Sequence, residues 1–471
     1  MADDNNTVSN ILLREIIYYL PAKSVIRFKS VSTYWNSIIS EPDFIRSYIT
    51  RNPHPSWFVF ERTLNLSSNG RFPIEFIFKR PPNLSTLSID FHGFDPYPFL
   101  GHPVLVASSG ELLLVGPKIS DMSQWALSGY NFFVINAITK EWVALPKPGF
   151  VFDHSNLGLI TQIDRNNMVF REFNVVAYLP SITANRAILL CFSSETAKWE
   201  MKLTNYMLGD HIWGLSGRGN FEFNGKLIWY DLNVGLIIWD DPFSTEKIVE
   251  CRLIRLPLQH VRSNEHRKDD ERLINNGGGL IHYLRISEDS IVSLWRLHNL
   301  EEENWNYLYS WDLSLVYPYF GKVMPVLFHP FKYEVAIFRR GNTLISLELR
   351  TAKLKSIATI LSHISMHFVP VVLPSWPRFF TPIMHARFLK EHGNQCFGES
   401  KYDEAIYFYT RSIEFTENVQ VYMLRGKTYN KLHKSHEAKE DFLKAIEIDS
   451  YIYQTYRTEE VERLNNQHLS L

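Results

Sequence analysis

Cysteine is nearly missing from this chain. Three in 471 residues, Cys191, Cys251 and Cys396, stand far apart in sequence, which excludes a disulfide framework and any C-x-x-C metal site. That usage fits a reducing compartment, so the expected location is cytoplasmic or nuclear. The Asn-x-Ser sequences at Asn65 and Asn83 are then chance matches, because their acceptor role needs secretion. A surplus of charge is missing as well: 49 basic residues oppose 50 acidic ones, for a net charge of −1. With no basic field to draw phosphate, nucleic acid is not an expected partner. No apolar run approaches the roughly 20 residues that span a bilayer, so no membrane partner is expected either. The opening MADDNNTVSN has neither a basic start nor an apolar core, and a secretory leader is not expected. No cofactor is expected, for want of a ligand cluster or a phosphate-binding glycine loop.

What the chain does have is 45% hydrophobic and 14% aromatic residues with 21% charged ones. This is the composition of a globular protein, and its length predicts two or three domains. Residues 7–44 read TVSNILLREIIYYLPAKSVIRFKSVSTYWNSIISEPDF. Leu12, Leu13, Ile16, Ile17 and Leu20 share one helical stripe. Pro21 stops that helix and can open the next, where its missing N–H costs nothing. The second helix carries Val25, Phe28 and Val31. Ser32 or Thr33 can cap a third carrying Trp35, Ile38 and Ile39, which Pro42 ends. Three short helices cannot bury all these side chains among themselves. Something else must cover the remainder.

This spacing, with Leu20-Pro21, Val25, Phe28, Val31, Trp35 and Glu41-Pro42-Asp43-Phe44, resembles an F-box of the plant type, with boundaries near residues 7–50. Val8-Ser9 stands where the family usually opens on Leu-Pro. The resemblance implies docking onto the Skp-type adaptor of a cullin–RING ubiquitin ligase, through Val8, Leu12, Ile16, Leu20, Pro21, Val25, Phe28, Val31 and Trp35. The competing reading is a plain helical hairpin that caps a larger domain.

From residue 56 to 376 the texture changes to short apolar runs broken by Gly, Pro and Asn. A sub-pattern recurs: a strand, a polar turn with Thr, then a second strand. It is seen in FFVINAITKEWVAL, AILLCFSSETAKWEMKL, LIIWDDPFSTEKIVECRLI and LISLELRTAKLKSIA, at Thr139, Thr196, Thr245 and Thr351. The step is about 50 residues, with one gap of about two steps that SLWRLHNLEEENWNYLYSWDL fills. Radial repetition of small antiparallel sheets gives a β-propeller, here of six or seven blades. An irregular pair of β-sandwiches is the alternative. Phrases such as INAITKEWVALPKP, FEFNGKLIWY and VLFHPFKYEVAIF resemble the F-box-associated, kelch-like region of plant F-box proteins.

No catalytic arrangement is legible in this middle region. Gly214-Leu215-Ser216-Gly217-Arg218 mimics a nucleophile elbow, but its last position must be small and is arginine. His329 before Pro330 reads as a packed or turn histidine rather than a ligand. The run EHRKDDER at 265–272 reads as a solvated loop.

After LPSWPRFFTP, helix formers return over 384–466. Gly393 matches Gly426, Ala405 matches Ala438, Tyr409 matches Phe442 and Ser412 matches Ala445, each pair 33 residues apart. This resembles two tetratricopeptide repeats with a capping helix. In chaperone-binding members of that family, a lysine and an asparagine at the positions of Lys390 and Asn394 help to grip a terminal carboxylate. Leu424, Gln454 and Thr458 stand where three further donors belong, so any capture of a chaperone tail is expected to be weak.

The expected architecture is therefore a short all-α F-box, a large all-β propeller and α-helical repeats. The expected function is that of a non-catalytic substrate receptor of an SCF-type ligase. The rival reading is a chaperone-linked scaffold with a vestigial F-box.

Overall fold

The computed structural model describes residues 12–52, 56–61, 71–74, 87–90, 103–117, 132–139, 141–148, 157–164, 169–180, 186–207, 218–231, 235–257, 271–277, 280–287, 290–301, 304–316, 323–341, 343–351, 353–359, 368–374, 376 and 378–450. They fall into two compact units, one within 1–142, 147–192 and 199–379, the other within 143–146, 193–198 and 380–471.

The first unit opens with four helices rather than the expected three. Helix α1 covers 12–18. It is followed by α2 (Ala22–Phe28), α3 (Thr33–Ser40) and α4 (Pro42–Arg51). Pro21 sits at the N-cap of α2, one place before the first helical residue. Ser32 caps α3, its Oγ accepting from Trp35 N at 3.2 Å. Pro42 does end α3, but it also occupies the first turn of α4, where a residue without an N–H is best tolerated. The sequence DFIRSYITR therefore continues as helix, and Phe44, Ile45 and Tyr48 on one of its faces join the core with Ile17, Tyr18, Val25, Ile38 and Ile39.

The β region begins with β1 (Ser56–Glu61), β2 (Arg71–Ile74) and β3 (Leu87–Asp90). Five meandering sheets follow. The first is β4 (Pro103–Ser109), β5 (Leu112–Pro117), β6 (Phe133–Asn136) and β7 (Trp142–Ala144). The second is β8 (Leu157–Asp164), β9 (Val169–Pro180), β10 (Arg186–Ser193) and β11 (Lys198–Met207), extended by the short parallel strand β15 (Ile248–Val249). The third is β12 (Arg218–Phe223), β13 (Lys226–Asp231), β14 (Gly235–Trp239) and β16 (Cys251–Arg255). The fourth is β17 (Glu271–Gly277), β18 (Leu280–Ile286), β19 (Ile291–Leu297) and β20 (Trp305–Asp312), with a single helical turn α5 (Leu313–Val316) behind it. The fifth is β21 (Met324–His329), β22 (Lys332–Arg340), β23 (Thr343–Glu348) and β24 (Lys353–Thr359).

Ring closure comes from the two ends of this region. β25 (Phe368–Leu373) pairs antiparallel with β1, Ser56 opposite Leu373 and Glu61 opposite Phe368. The first strand of each sheet lies beside the first strand of the next, from β4 through β8, β12, β17 and β21, and β25 lies beside both β21 and β4. This is a β-propeller, and it displaces the sandwich alternative. Against the expected six or seven blades, the described residues form five sheets of four or five strands and the two pairs β1–β25 and β2–β3.

The recurring Thr turn has one structural address. It joins the third and fourth strands of a sheet: Thr139 between β6 and β7, Thr196 between β10 and β11, Thr245 between β14 and β16, and Thr351 between β23 and β24. SLWRLHNLEEENWNYLYSWDL supplies the same hairpin, β19–β20, in the fourth sheet. The turn chemistry is visible at Asn136, whose Oδ1 accepts from Ile138 N at 2.9 Å and Thr139 N at 3.1 Å. Side chains alternate between neighbouring sheets. On β14, Ile237 and Trp239 pack toward the second sheet, while Leu236 and Ile238 pack toward the fourth. Both faces of such a strand are dry, so the strand reads as an unbroken apolar run.

The second unit is helical: α6 (Pro382–Gly398), α7 (Tyr402–Phe415), α8 (Val419–Lys431) and α9, helical from 435 through 450. The 33-residue match is physical. A Cβ placed on Gly393 would lie 2.4 Å from Tyr409 Cε1, and one on Gly426 2.7 Å from Phe442 Cε1. The same close ring-over-backbone approach occurs twice. Ala405, Ala438 and Ala445 are buried, as is Ser412.

Candidate functional site

The helical stripe of α1 divides in two once folded. Ile17 and Tyr18 turn into the core, whereas Leu12, Ile16 and Tyr19 stand out at 59%, 59% and 83% exposure, with Leu13 partly out beside them. A helix turn covers about 3.6 residues, so Leu12 and Ile16 share one outward face, and Tyr19 lies in the turn just past the last helical residue. Val31 at 66% and Tyr34 at 45% add a second exposed apolar group around the α2–α3 junction. Together they make an exposed apolar surface on these helices.

The other expected adaptor residues take different places. Pro21 is exposed, and Leu20, Phe28 and Trp35 are half-buried against the core. Phe28 and Trp35 are brought together at 6.0 Å between ring centroids, and Tyr34 meets Trp35 edge-on at 5.5 Å. Val25 is fully buried, so it supports the face from beneath instead of lying on it. Val8 lies outside the described residues.

Two polar residues of the α4 region hold the Leu20-Pro21 junction, and sequence reading passed over both. Tyr48 Oη donates to Leu20 O at 2.7 Å, and Asn52 Nδ2 donates to Tyr18 O at 3.0 Å. Each satisfies a carbonyl left over at the end of α1. The signal was the 44/45/48 apolar spacing after Pro42. Around the rim, Arg14 bridges Glu41 at 3.0 Å, and Arg51 pairs with Glu15 while stacking over the Tyr18 ring at 4.3 Å. Hydrogen bonding to Arg51 lowers the Glu15 pKa.

The remaining candidates can be placed as well. Lys390 lies 3.6 Å from Glu391, and Asn394 donates to that same Glu391 at 3.1 Å while accepting from Tyr409 Oη at 2.9 Å. Both matched clamp residues thus face a carboxylate of their own helix. Leu424 packs, partly buried, against the apolar core of the C-terminal helices. Gln454, Thr458, the 214–217 glycine loop and residues 265–270 lie outside the described residues. His329 Nδ1 accepts from Phe331 N at 3.1 Å, and burial lowers its pKa to about 4, as a neutral turn histidine requires. Cys191 and Cys251, distant in sequence, share one core cluster, and burial pushes both thiols up to about 12. Among the described residues, no group of three or more His, Cys, Asp or Glu is placed to hold a metal, and no helix is long and apolar enough to cross a membrane.

Comparison with known proteins bears on both halves of the first unit. Residues 9–47 match the F-box domain, and residues 99–367 match the family described as F-box protein At3g26010-like, beta-propeller. F-box protein At1g49990 of Arabidopsis thaliana is 26% identical over 350 residues, covering 64% of this chain and 75% of its own. The putative F-box/kelch-repeat protein At4g22430 of the same plant is 25% identical over 393 residues, covering 75% and 82%. Among solved structures, apo AztD from Citrobacter koseri covers 68% of this chain and 99% of its own at a TM-score of 0.31 and 11% identity. With the propeller match spanning more than half its length behind an F-box, the chain belongs to the At3g26010-like family of F-box β-propeller proteins.

Proposed function

We propose that this protein is the substrate-recognition subunit of an SCF-type cullin–RING ubiquitin ligase. The observation that carries the reading is the outward apolar row of Leu12 and Ile16, with Tyr19 just past the helix end, on a helix whose other face is packed. Such a row would bury against the helices of a Skp-type adaptor, with Pro21 and Val31 beside it. The protein supplies no chemistry of its own in this reading. It tethers a target near the ubiquitin donor and so raises the effective concentration of the target lysine.

The propeller would then hold the target. In this reading it has six blades, the sixth built on β25 and β1, because β25 occupies the gap in the ring between β21 and β4. The helices of the second unit are read as tetratricopeptide repeats, supported by the doubled glycine–aromatic approach. The setting is cytoplasmic or nuclear. The rival scaffold reading leans on Lys390 and Asn394, and both already engage Glu391.

Calorimetric titration of the full chain with a Skp-type adaptor tests the proposal. Leu20→Ala combined with Pro21→Ala should weaken binding by several kcal/mol, on the order of an interface hot spot, while the propeller stays folded. If the parent chain shows no binding, the ligase reading fails.

A further inference from the structure

The four helices do not complete their own core. Trp376, from the segment that leaves the propeller, is 2% exposed and belongs to the F-box cluster. Its ring meets Tyr48 edge-on at 5.1 Å and Phe44 edge-on at 6.2 Å, and Phe44 in turn stacks on Tyr18 at 4.9 Å. Tyr48 is the residue that holds the Leu20 carbonyl. Trp376 therefore reaches the candidate adaptor face through one intermediate side chain.

Two residues further on, the same segment is fixed to the propeller by different chemistry. The Arg378 guanidinium donates to Glu111 Oε2 at 2.8 Å, and Arg378 N donates to Glu111 Oε1 at 3.3 Å. Asn136 Nδ2 donates to Arg378 O at 2.7 Å, and Phe170 N donates to Phe379 O at 3.4 Å. Glu111 and Asn136 are fully buried. Burial raises the Glu111 pKa and Arg378 opposes that rise. A buried carboxylate held by one guanidinium contributes little net stability over an apolar pair, but it admits only one geometry, because misalignment strands a charge.

We propose that this segment is a positioning strap: Trp376 closes the F-box core, Arg378 locks the strap to the propeller, and together they fix the F-box in one orientation against the blades. The strap's functional meaning rests on the ligase reading, since proximity transfer rewards a target held at one distance and angle. Trp376 and Arg378 act through other residues and are positioning residues.

The test uses the full chain without adaptor, so it stands apart from the ligase reading. Spin labels at Ser40→Cys and Arg350→Cys, in a Cys396→Ser background, report the F-box-to-propeller distance by pulsed electron resonance. Amide exchange of residues 42–51 reports the F-box core. The parent should give one narrow distance distribution. Arg378→Ala should broaden it severalfold while α4 stays protected. Trp376→Ala should speed α4 exchange by about a hundredfold or more, and Trp376→Phe should restore most of the protection. A distribution as narrow in Arg378→Ala as in the parent overturns the strap, as does α4 protection untouched by Trp376→Ala. Should Trp376→Ala fail to fold, the Arg378→Ala distribution decides alone.

Discussion

Helix α1 of the F-box and helices α6–α7 of the second unit are both short and amphipathic, yet they use their apolar residues in opposite ways. In α6–α7 the apolar face closes on itself. Tyr409 covers Gly393, Ser412 Oγ donates to Ala386 O at 2.7 Å, and Tyr409 Oη is tied to Asn394. The next helix pair is locked likewise, Arg425 gripping Asp441 with hydrogen bonds of 2.8 and 2.6 Å. On α1, Leu12 and Ile16 stay largely in water, as does Tyr19 just past its end. The second unit exposes apolar side chains too: Ile383, Tyr407, Phe415, Met423, Leu443 and Ile446, spread over α6, α7, α8 and α9, with Leu443 and Ile446 three places apart on one helix face. A helix whose apolar rows are satisfied internally is a structural element. One that keeps a row outside leaves that apolar surface to solvent.

The sharpest test of this contrast removes the ring that closes the repeat. Tyr409→Ala should destabilise the second unit by about 3–5 kcal/mol, the range for losing a buried aromatic, read as faster amide exchange across α6 and α7. A loss below about 1 kcal/mol would mean that the repeat is not held by this ring. The matching change on α1, Leu12→Asp with Ile16→Asp, should cost adaptor affinity at least about 2 kcal/mol. Thermal stability should move by no more than about 0.5 kcal/mol, as for other exposed sites. If that pair unfolds the F-box instead, the outward row is core and the comparison collapses.

Val25→Ala probes the layer beneath the face. It should destabilise the F-box by about 2 kcal/mol from lost methyl burial and the cavity left behind. Adaptor affinity should fall only in proportion to the folded fraction, which titration at two temperatures separates. Lys390→Ala should have the smallest effect. Peptides ending in acidic residues should bind the chain near the millimolar level, about −4 kcal/mol, and the variant should bind them equally, because Glu391 already occupies the lysine. Micromolar binding that is lost in Lys390→Ala would reverse the order of the two functional readings.

Much of this architecture could be read from local pattern. The Thr turns announced a hairpin in four of the five sheets, because a polar side chain capping its own turn is a short-range interaction. The small and aromatic residues 33 apart announced the paired helices for the same reason. The fourth F-box helix is not legible from Pro42 alone, because proline serves equally as a helix stop and as a first-turn residue. The stripe on α1 looked like one docking face because helical spacing gives neighbours, not the direction each neighbour will face.

By itself, then, the sequence determined the order of helices and strands, the repeat steps and the positions of turns and caps. All of these depend on residues within a few places of each other. Long-range packing sets Ile17 inside and Ile16 outside, buries Val25 beneath the candidate adaptor face, and brings Cys191 and Cys251 into one core. It alone decided that Trp376 completes a core begun at Ile17. Contacts between residues hundreds of positions apart leave no periodicity in the chain, and the free energy that selects them comes from burial and charge pairing that exist only once the ring has closed.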